Sequence, residues 1–363
     1  MRILLAVVLL LPLAAQAKDL RDAFEKHFLI GTAVSTSMLE NPEQSEKLIC
    51  QHYNALTAEN AMKWQNIHPT QDTFDFSLAD KLMAMAKRCE AEVIGHTLVW
   101  HQQTPDWVFE DEQGNPLSRE ALLARLKNHI TTVVSRYKGK VKGWDVVNEA
   151  LNDDGTFRVT KWHTIIGDDY IIKAFEYAHA ADPEAELYYN DYNMYNAKKA
   201  AAAAEIVKSI KAAGLPITSV GMQGHYSVFY PDLNLVEDSI KRFMALGVKV
   251  SITELDVSVL PFPEQAQVGA EVSQSVEFEE KLNPFANGIS EQMQDRLTKV
   301  YVDLFSIFLK YQDTIDRVTL WGVDDSVSWR NNWPVPGRTD YPLLLNRQKE
   351  PKPAYTAVTE LVD

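Results

Sequence analysis

Val141-Lys142-Gly143-Trp144-Asp145-Val146-Val147-Asn148-Glu149 opens as a β-rich run and closes on an amide and a carboxylate. The run reads as a strand over 141–147, because β-branched and aromatic residues suit a pleated, buried surface. Helical patterns flank it at 118–137 and 168–181. The same unit recurs in both directions. Strand-like runs lie near 28–34, 52–57, 92–98, 186–190, 217–223, 248–254 and 316–322. Helical patterns fill 42–51, 77–90, 196–213, 233–246, 289–312 and 351–362. Such alternation builds a parallel sheet, and eight strand-then-helix units predict an α/β fold closed as a single (β/α)8 TIM barrel. An open doubly wound sheet is the rival, but no glycine-rich phosphate loop follows the first strand.

A barrel of this kind carries its chemistry at the C-terminal ends of its strands. The second run leads into Glu59, Asn60 and Lys63, and the third ends in His96, Trp100 and His101, with Gln103 following. The fourth ends in Asn148 and Glu149, the fifth in Asn190, Asp191, Tyr192 and Asn193. The sixth ends in Gln223 and His225, the seventh in Glu254 and Asp256, the eighth in Trp321, with Trp329 shortly after. Seven strand ends bearing polar or indole groups point to one shared site. Two carboxylates, neutral hydrogen-bonding groups and aromatic platforms suit glycoside hydrolysis. A nucleophilic Ser or Cys with a partner base is not evident. The histidines lie on different strands without H-x-x-x-H spacing, which argues against a zinc site.

The N-terminus has its own reading. Arg2, an apolar run from Ile3 to Leu13 and Ala15-Gln16-Ala17 resemble a secretory signal peptide over 1–17, too short to span a bilayer. Residues 18–363 carry no Ser/Pro/Gly-rich linker and are expected to form the one catalytic barrel. The formal net charge is −14, and loss of Arg2 with the leader takes it to −15. That charge repels phosphates, so nucleic acid is not an expected partner, and no membrane span follows the leader. Cys50 and Cys89 are the two cysteines, and a disulfide and two buried thiols are equally compatible with their positions. The polar, proline-containing segment 257–288 is long for a βα loop, and is either a cover for part of the cleft or a tolerated surface insertion.

At these residues the sequence resembles the glycoside hydrolase family 10 xylanases. Thr57-Ala58-Glu59-Asn60-Ala61-Met62-Lys63-Trp64, Gly95-His96-Thr97-Leu98-Val99-Trp100-His101, Trp144-Asp145-Val146-Val147-Asn148-Glu149-Ala150 and Ile252-Thr253-Glu254-Leu255-Asp256 carry the match. Gly221-Met222-Gln223-Gly224-His225 and Trp321-Gly322-Val323 extend it. The resemblance covers nearly all of residues 20–362. It implies an endo-β-1,4-xylanase acting on xylan and xylo-oligosaccharides; the leader adds that it is secreted or periplasmic, a monomer is expected, and acid/base and nucleophile chemistry needs neither cofactor nor metal. Glu149 is then the acid/base and Glu254 the nucleophile of a retaining mechanism. Asn148, Lys63 and His96 are expected to bind the sugar at the cleavage point (subsite −1), and Glu59, Asn60 and Gln103 the next sugar (subsite −2). Gln223 joins the polar shell, His225 holds Glu254, and Asp256 orients His225. Trp100, Trp321 and Trp329 form walls. Xylan is implied over cellulose because Gln103, Trp321 and Trp329 match positions thought to crowd a C6 hydroxymethyl group. Tyr192 and Asn193, with Asn190, are expected only to shape the cleft. The charge of Glu254 is expected to raise the pKa of Glu149.

Overall fold

The computed structural model describes residues 18–263 and 276–362. The expected leader over 1–17 and the middle of segment 257–288 lie outside the described residues. Among the described residues nine strands run in chain order: β1 (Leu29–Val34), β2 (Ala55–Ala58), β3 (Glu92–Val99), β4 (Gly143–Asn148), β5 (Glu186–Asp191), β6 (Ser219–Met222), β7 (His225–Ser227), β8 (Lys249–Ser258) and β9 (Ile315–Leu320). All pairings between them are parallel. β1 pairs β9 and β6 pairs β8, so eight strands close into a (β/α)8 barrel. Helices such as Ser77–Cys89, Arg119–Arg136, Ala197–Ala212 and Glu291–Lys310 follow the strands and form the outer layer.

The strands are buried almost throughout, as expected when helices cover one face and barrel side chains fill the other. Filling the interior requires large residues to face small ones. Gly95 on β3 is in register with Trp144 on β4, and a Cβ at Gly95 would lie 2.1 Å from the indole. Helix starts are set locally by side-chain caps. Ser118 accepts from the Ala121 amide, Asn196 from Lys198 and Ser290 from Met293.

The structure departs from the sequence expectations in detail. The run 52–57 starts late, because His52 ends the helix Glu46–His52 and β2 begins at Ala55. The sixth run stops at Met222, and β7 forms after Gly224, whose φ of +82° turns the chain. Among the described strands β7 pairs with an extended β8 alone, with His225 in register with Asp256. Short helices also occupy βα loops, among them Trp64–Ile67 and Lys161–Ile166.

Cys50 and Cys89 form a disulfide. It joins the ends of the helices Glu46–His52 and Ser77–Cys89, which lead into β2 and β3, so it lies on the face opposite the strand C-termini. Arg21 donates to the carbonyls of Cys50 at 3.0 Å and Cys89 at 2.8 Å, satisfying acceptors that helix ends leave open. The described ends of segment 257–288 dock on the chain after β9. The Val276 amide donates to the Pro334 carbonyl at 2.7 Å, and Tyr341 Oη donates to the Phe285 carbonyl at 3.0 Å.

Candidate active site

Glu149 follows directly on β4, and Glu254 lies within β8 across the barrel. Glu149 has a φ of 58°, a left-handed backbone that costs a non-glycine residue on the order of 1 kcal/mol. Its amide donates to the Asn190 carbonyl at 2.9 Å, which holds that backbone against β5. Trp100 Nε1 donates to Glu149 Oε2 at 2.8 Å, and Gln223 Nε2 to Oε1 at 2.9 Å.

Glu254 is buried, and both oxygens are engaged. Asn190 Nδ2 donates to Oε1 at 2.8 Å, and His225 Nε2 lies 3.2 Å from Oε2. Its amide donates to the Gln223 carbonyl at 2.7 Å. Gln223 and Asn190 therefore each touch both carboxylate residues, one contact through main chain and one through side chain. Asn190 is fixed in turn by Thr253 Oγ1, which donates to its Oδ1 at 2.7 Å.

Behind Glu254, His225 Nδ1 lies 3.0 Å from Asp256 Oδ2. Both ring nitrogens thus face carboxylates, and only the imidazolium can donate to both. Burial pushes the His225 pKa down, but the Asp256 charge and hydrogen bond, helped by Glu254, outweigh it and lift the pKa to about 9. Asp256 is also held by Trp329 Nε1 at 2.7 Å and Arg330 Nε at 2.9 Å. Burial raises the Asp256 carboxyl, yet Arg330 and His225 bring it below its ordinary value.

The expectation for Glu149 needs correction. Burial does push its carboxyl up, but the charge of His101 and the hydrogen bonds from Gln223 and Trp100 outweigh it, and the net direction is down. Glu149 therefore favours its ionised form. The expected lift from Glu254 does not prevail, because donors sit directly on the Glu149 oxygens.

Glu59, Asn60, Lys63, His96, Trp100, Gln103, Asn148, Glu149, Gln223, His225, Glu254, Trp321 and Trp329 all line one cleft. Asp256 lies behind it, against His225. Lys63 Nζ donates to Asn60 Oδ1 at 3.2 Å and lies 4.6 Å from the Trp100 ring centroid. Burial lowers the Lys63 pKa, opposed by Glu254, Glu59 and Glu149. Burial raises that of Glu59, opposed by Lys63 and reinforced by Glu254. Gln103 Nε2 donates to Asn60 Oδ1 at 3.1 Å, and His96 Nδ1 pairs with Asp145 Oδ2 at 2.9 Å. Asn148 Oδ1 accepts from Asn190 Nδ2 at 2.9 Å.

Sequence reasoning missed several of these groups. Asn190 was assigned to cleft shape, yet it bonds Glu254 directly. Asp145 sits inside β4, four residues before Glu149, within the matched motif but not at a strand end, so the sequence assigns it no role. Tyr230, Phe262, Arg330 and Trp333 also line the cleft. Trp333 stacks on Trp329 with centroids 4.8 Å apart, and Phe262 lies 6.0 Å from Trp333. The Trp329-Arg330 and Trp333 cluster was the available signal for the last two.

Comparison with known proteins places this geometry. Residues 19–361 match the family described as Glycosyl hydrolase family 10. The chain is 46% identical over 360 residues to Endo-1,4-beta-xylanase A of Xylanibacter ruminicola, covering 98% of this chain and 97% of that one. Among solved structures, it is similar to a GH10 endoxylanase retrieved from a sugarcane soil metagenome. There the TM-score is 0.90 at 40% identity, covering 95% of this chain and 100% of that one. It is also similar to a mutant solved in complex with xylotriose, with a TM-score of 0.84 at 36% identity, covering 94% and 99% of the two chains.

Proposed function

The chain belongs to glycosyl hydrolase family 10, and from that premise we infer how its residues cleave xylan. It is an endo-1,4-β-xylanase that retains configuration at the anomeric carbon. The observation that carries the assignment of roles is the unlike support of two carboxylates. Glu254 has one oxygen on Asn190 and the other on an imidazolium, which fixes the direction in which it points. That is the support a nucleophile needs. Glu149 is held by the amide of Gln223 and the indole of Trp100, groups that stabilise charge without carrying one.

Glu254 attacks the anomeric carbon while Glu149 gives its proton to the departing glycosidic oxygen. A covalent glycosyl-enzyme forms, and the shortened chain leaves. Glu149, now ionised, takes a proton from water, the water oxygen bonds to the anomeric carbon, and Glu254 is released as carboxylate. The Gln223 and Trp100 hydrogen bonds favour ionised Glu149, so it takes up a proton from solvent as substrate enters. A bound sugar excludes water and favours the neutral acid. Asn148 has its Oδ1 committed to Asn190, which leaves Nδ2 to meet the sugar 2-hydroxyl. Lys63 and His96 bind the same sugar, and Glu59, Asn60 and Gln103 the next one. Gln223 completes the polar shell, and Trp100, Trp321 and Trp329 enclose the rings.

The similarity to a mutant bound to xylotriose supports xylo-oligosaccharides as ligands. Crowding by Gln103, Trp321 and Trp329 disfavours sugars bearing a C6 hydroxymethyl group. Residues 1–17 direct export and are removed, so the exported protein should begin at Lys18, which N-terminal sequencing checks.

The decisive measurement is reducing-sugar release from soluble xylan by residues 18–363, with Glu254→Ala in parallel. Strong release is expected from the parent, falling by roughly a thousandfold or more in the variant. A folded parent inactive on xylan but active on soluble cellulose would replace xylanase with β-glucanase.

A further inference from the structure

Lys199 is a fully buried ammonium with no place in the steps above. It lies in the helix Ala197–Ala212, one turn behind the β5 loop. Its Nζ sits 2.9 Å from Oδ1 of Asp191, which is also fully buried, and 3.3 Å from Asp153 Oδ1. The same Nζ lies 3.3 Å from the ring centroid of Tyr192. An ammonium has three donors, and these contacts use them: two carboxylates and one aromatic face. Asp191 is itself tied down, accepting from Tyr189 Oη at 2.6 Å and from the Tyr192 amide at 2.9 Å. Asp153 holds the neighbouring cleft residue by accepting from Asn193 Nδ2 at 3.0 Å.

Tyr192 and Asn193 both face the cleft. The Tyr192 hydroxyl accepts from Arg158, whose Nε donates to the Glu149 carbonyl at 3.3 Å. Around the barrel rim, β4 lies between β3 and β5. Glu149, at the end of β4, therefore separates Asn60, Lys63 and Gln103 on one side from Tyr192 and Asn193 on the other. If the former group grips the sugars that stay on the enzyme, the latter meets the part that departs with the proton of Glu149.

We propose that Lys199 is a positioning residue for the leaving-group side of the cleft, clamping Tyr192 and Asn193 through Asp191, Asp153 and the Tyr192 ring. The inference rests on the xylanase reading above. Lys199 touches no sugar, so its effect must appear only where the departing chain is gripped. An oligosaccharide needs that grip to place a poor leaving group against Glu149. A nitrophenyl xylobioside does not, because its leaving group departs readily and water then attacks with the departing side empty.

The test compares kcat/KM for xylotetraose and for nitrophenyl β-xylobioside in the parent, in Lys199→Met and in Lys199→Met/Asp191→Asn. The double substitution removes both buried charges and keeps the experiment available should an unpaired Asp191 prevent folding. Thermal unfolding identifies the folded variants. The expected result is a loss on the order of tenfold or more on xylotetraose with the aryl glycoside within about twofold. Transfer of xylobiosyl units to added xylose should fall in parallel. Equal losses on both substrates, or no loss on either, would overturn the proposal. A folded parent that cleaves neither substrate removes the xylanase reading itself.

Discussion

His225 is the residue at which electrostatics of the site becomes a property of the whole fold. Its pKa lies near 9, against an ordinary value of about 6.5. A group raised on folding contributes stability that is fully present below its unfolded pKa and lost as pH rises through the folded one. The window here runs from about 6.5 to 9, and the contribution is on the order of 3 kcal/mol at its lower end. His225→Gln should lower stability at pH 6 and flatten the decline between pH 6.5 and 9. Denaturant titrations of both proteins across that range check it, and parallel pH profiles would contradict it. The partners of His225 were readable from strand ends, because Glu254 and Asp256 are two apart on one strand and so share a face. Asn190 was not readable in the same way. Its bond to Glu254 depends on how β5 and β8 approach across the barrel, and nothing local in Asn190-Asp191-Tyr192-Asn193 reports that.

At the level of elements, what the sequence announced and what it hid differ for a physical reason. A parallel strand covered on both sides is an apolar run, and its helix carries the opposite period, so β3, β4 and the helices Ser77–Cys89 and Arg119–Arg136 stand out. β7 has three residues after a glycine turn and pairs with one neighbour, too short for any period to appear. Short loop helices such as Lys161–Ile166 are hidden likewise, being one or two turns held by tertiary packing. The cysteine pairing was also undecided by sequence, since it depends on two helix ends meeting. That disulfide spans 39 residues, and the chain-entropy argument assigns it about 4 kcal/mol. Replacing both cysteines by serine should remove roughly that much stability. Because the bridge lies on the face opposite the site, kcat/KM on xylan should be unchanged at temperatures where the variant is folded. A lowered kcat/KM without a lowered midpoint would show that the two helices transmit to the cleft.

On the scale of the whole molecule, barrel closure brings the described N-terminal residues against the last helix. β1 pairs β9, and Tyr355 of the helix Pro353–Thr359 donates to the Lys18 carbonyl at 3.3 Å and contacts His52 Nδ1 at 3.0 Å. Leu20 and Phe24 are fully buried, and the Phe24 ring lies 5.2 Å from those of both Phe28 and Phe305. Every residue named in these contacts lies at or after Lys18, the residue that follows the predicted leader. A chain starting at Lys18 should therefore keep every one of them. A chain starting at Glu25 loses the buried side chains of Leu20, Ala23 and Phe24, of which Leu20 and Phe24 are worth about 3–6 kcal/mol together, and the Arg21 bonds to the two disulfide-linked helix ends. Its denaturation midpoint should fall accordingly, while activity on xylan at low temperature survives, because none of the described residues before Leu29 reaches the cleft lining. Equal stability of the two chains would mean that the N-terminal helix Leu20–Ala23 merely rests on the barrel. Loss of activity with an unchanged midpoint would instead place part of this segment in the catalytic machinery.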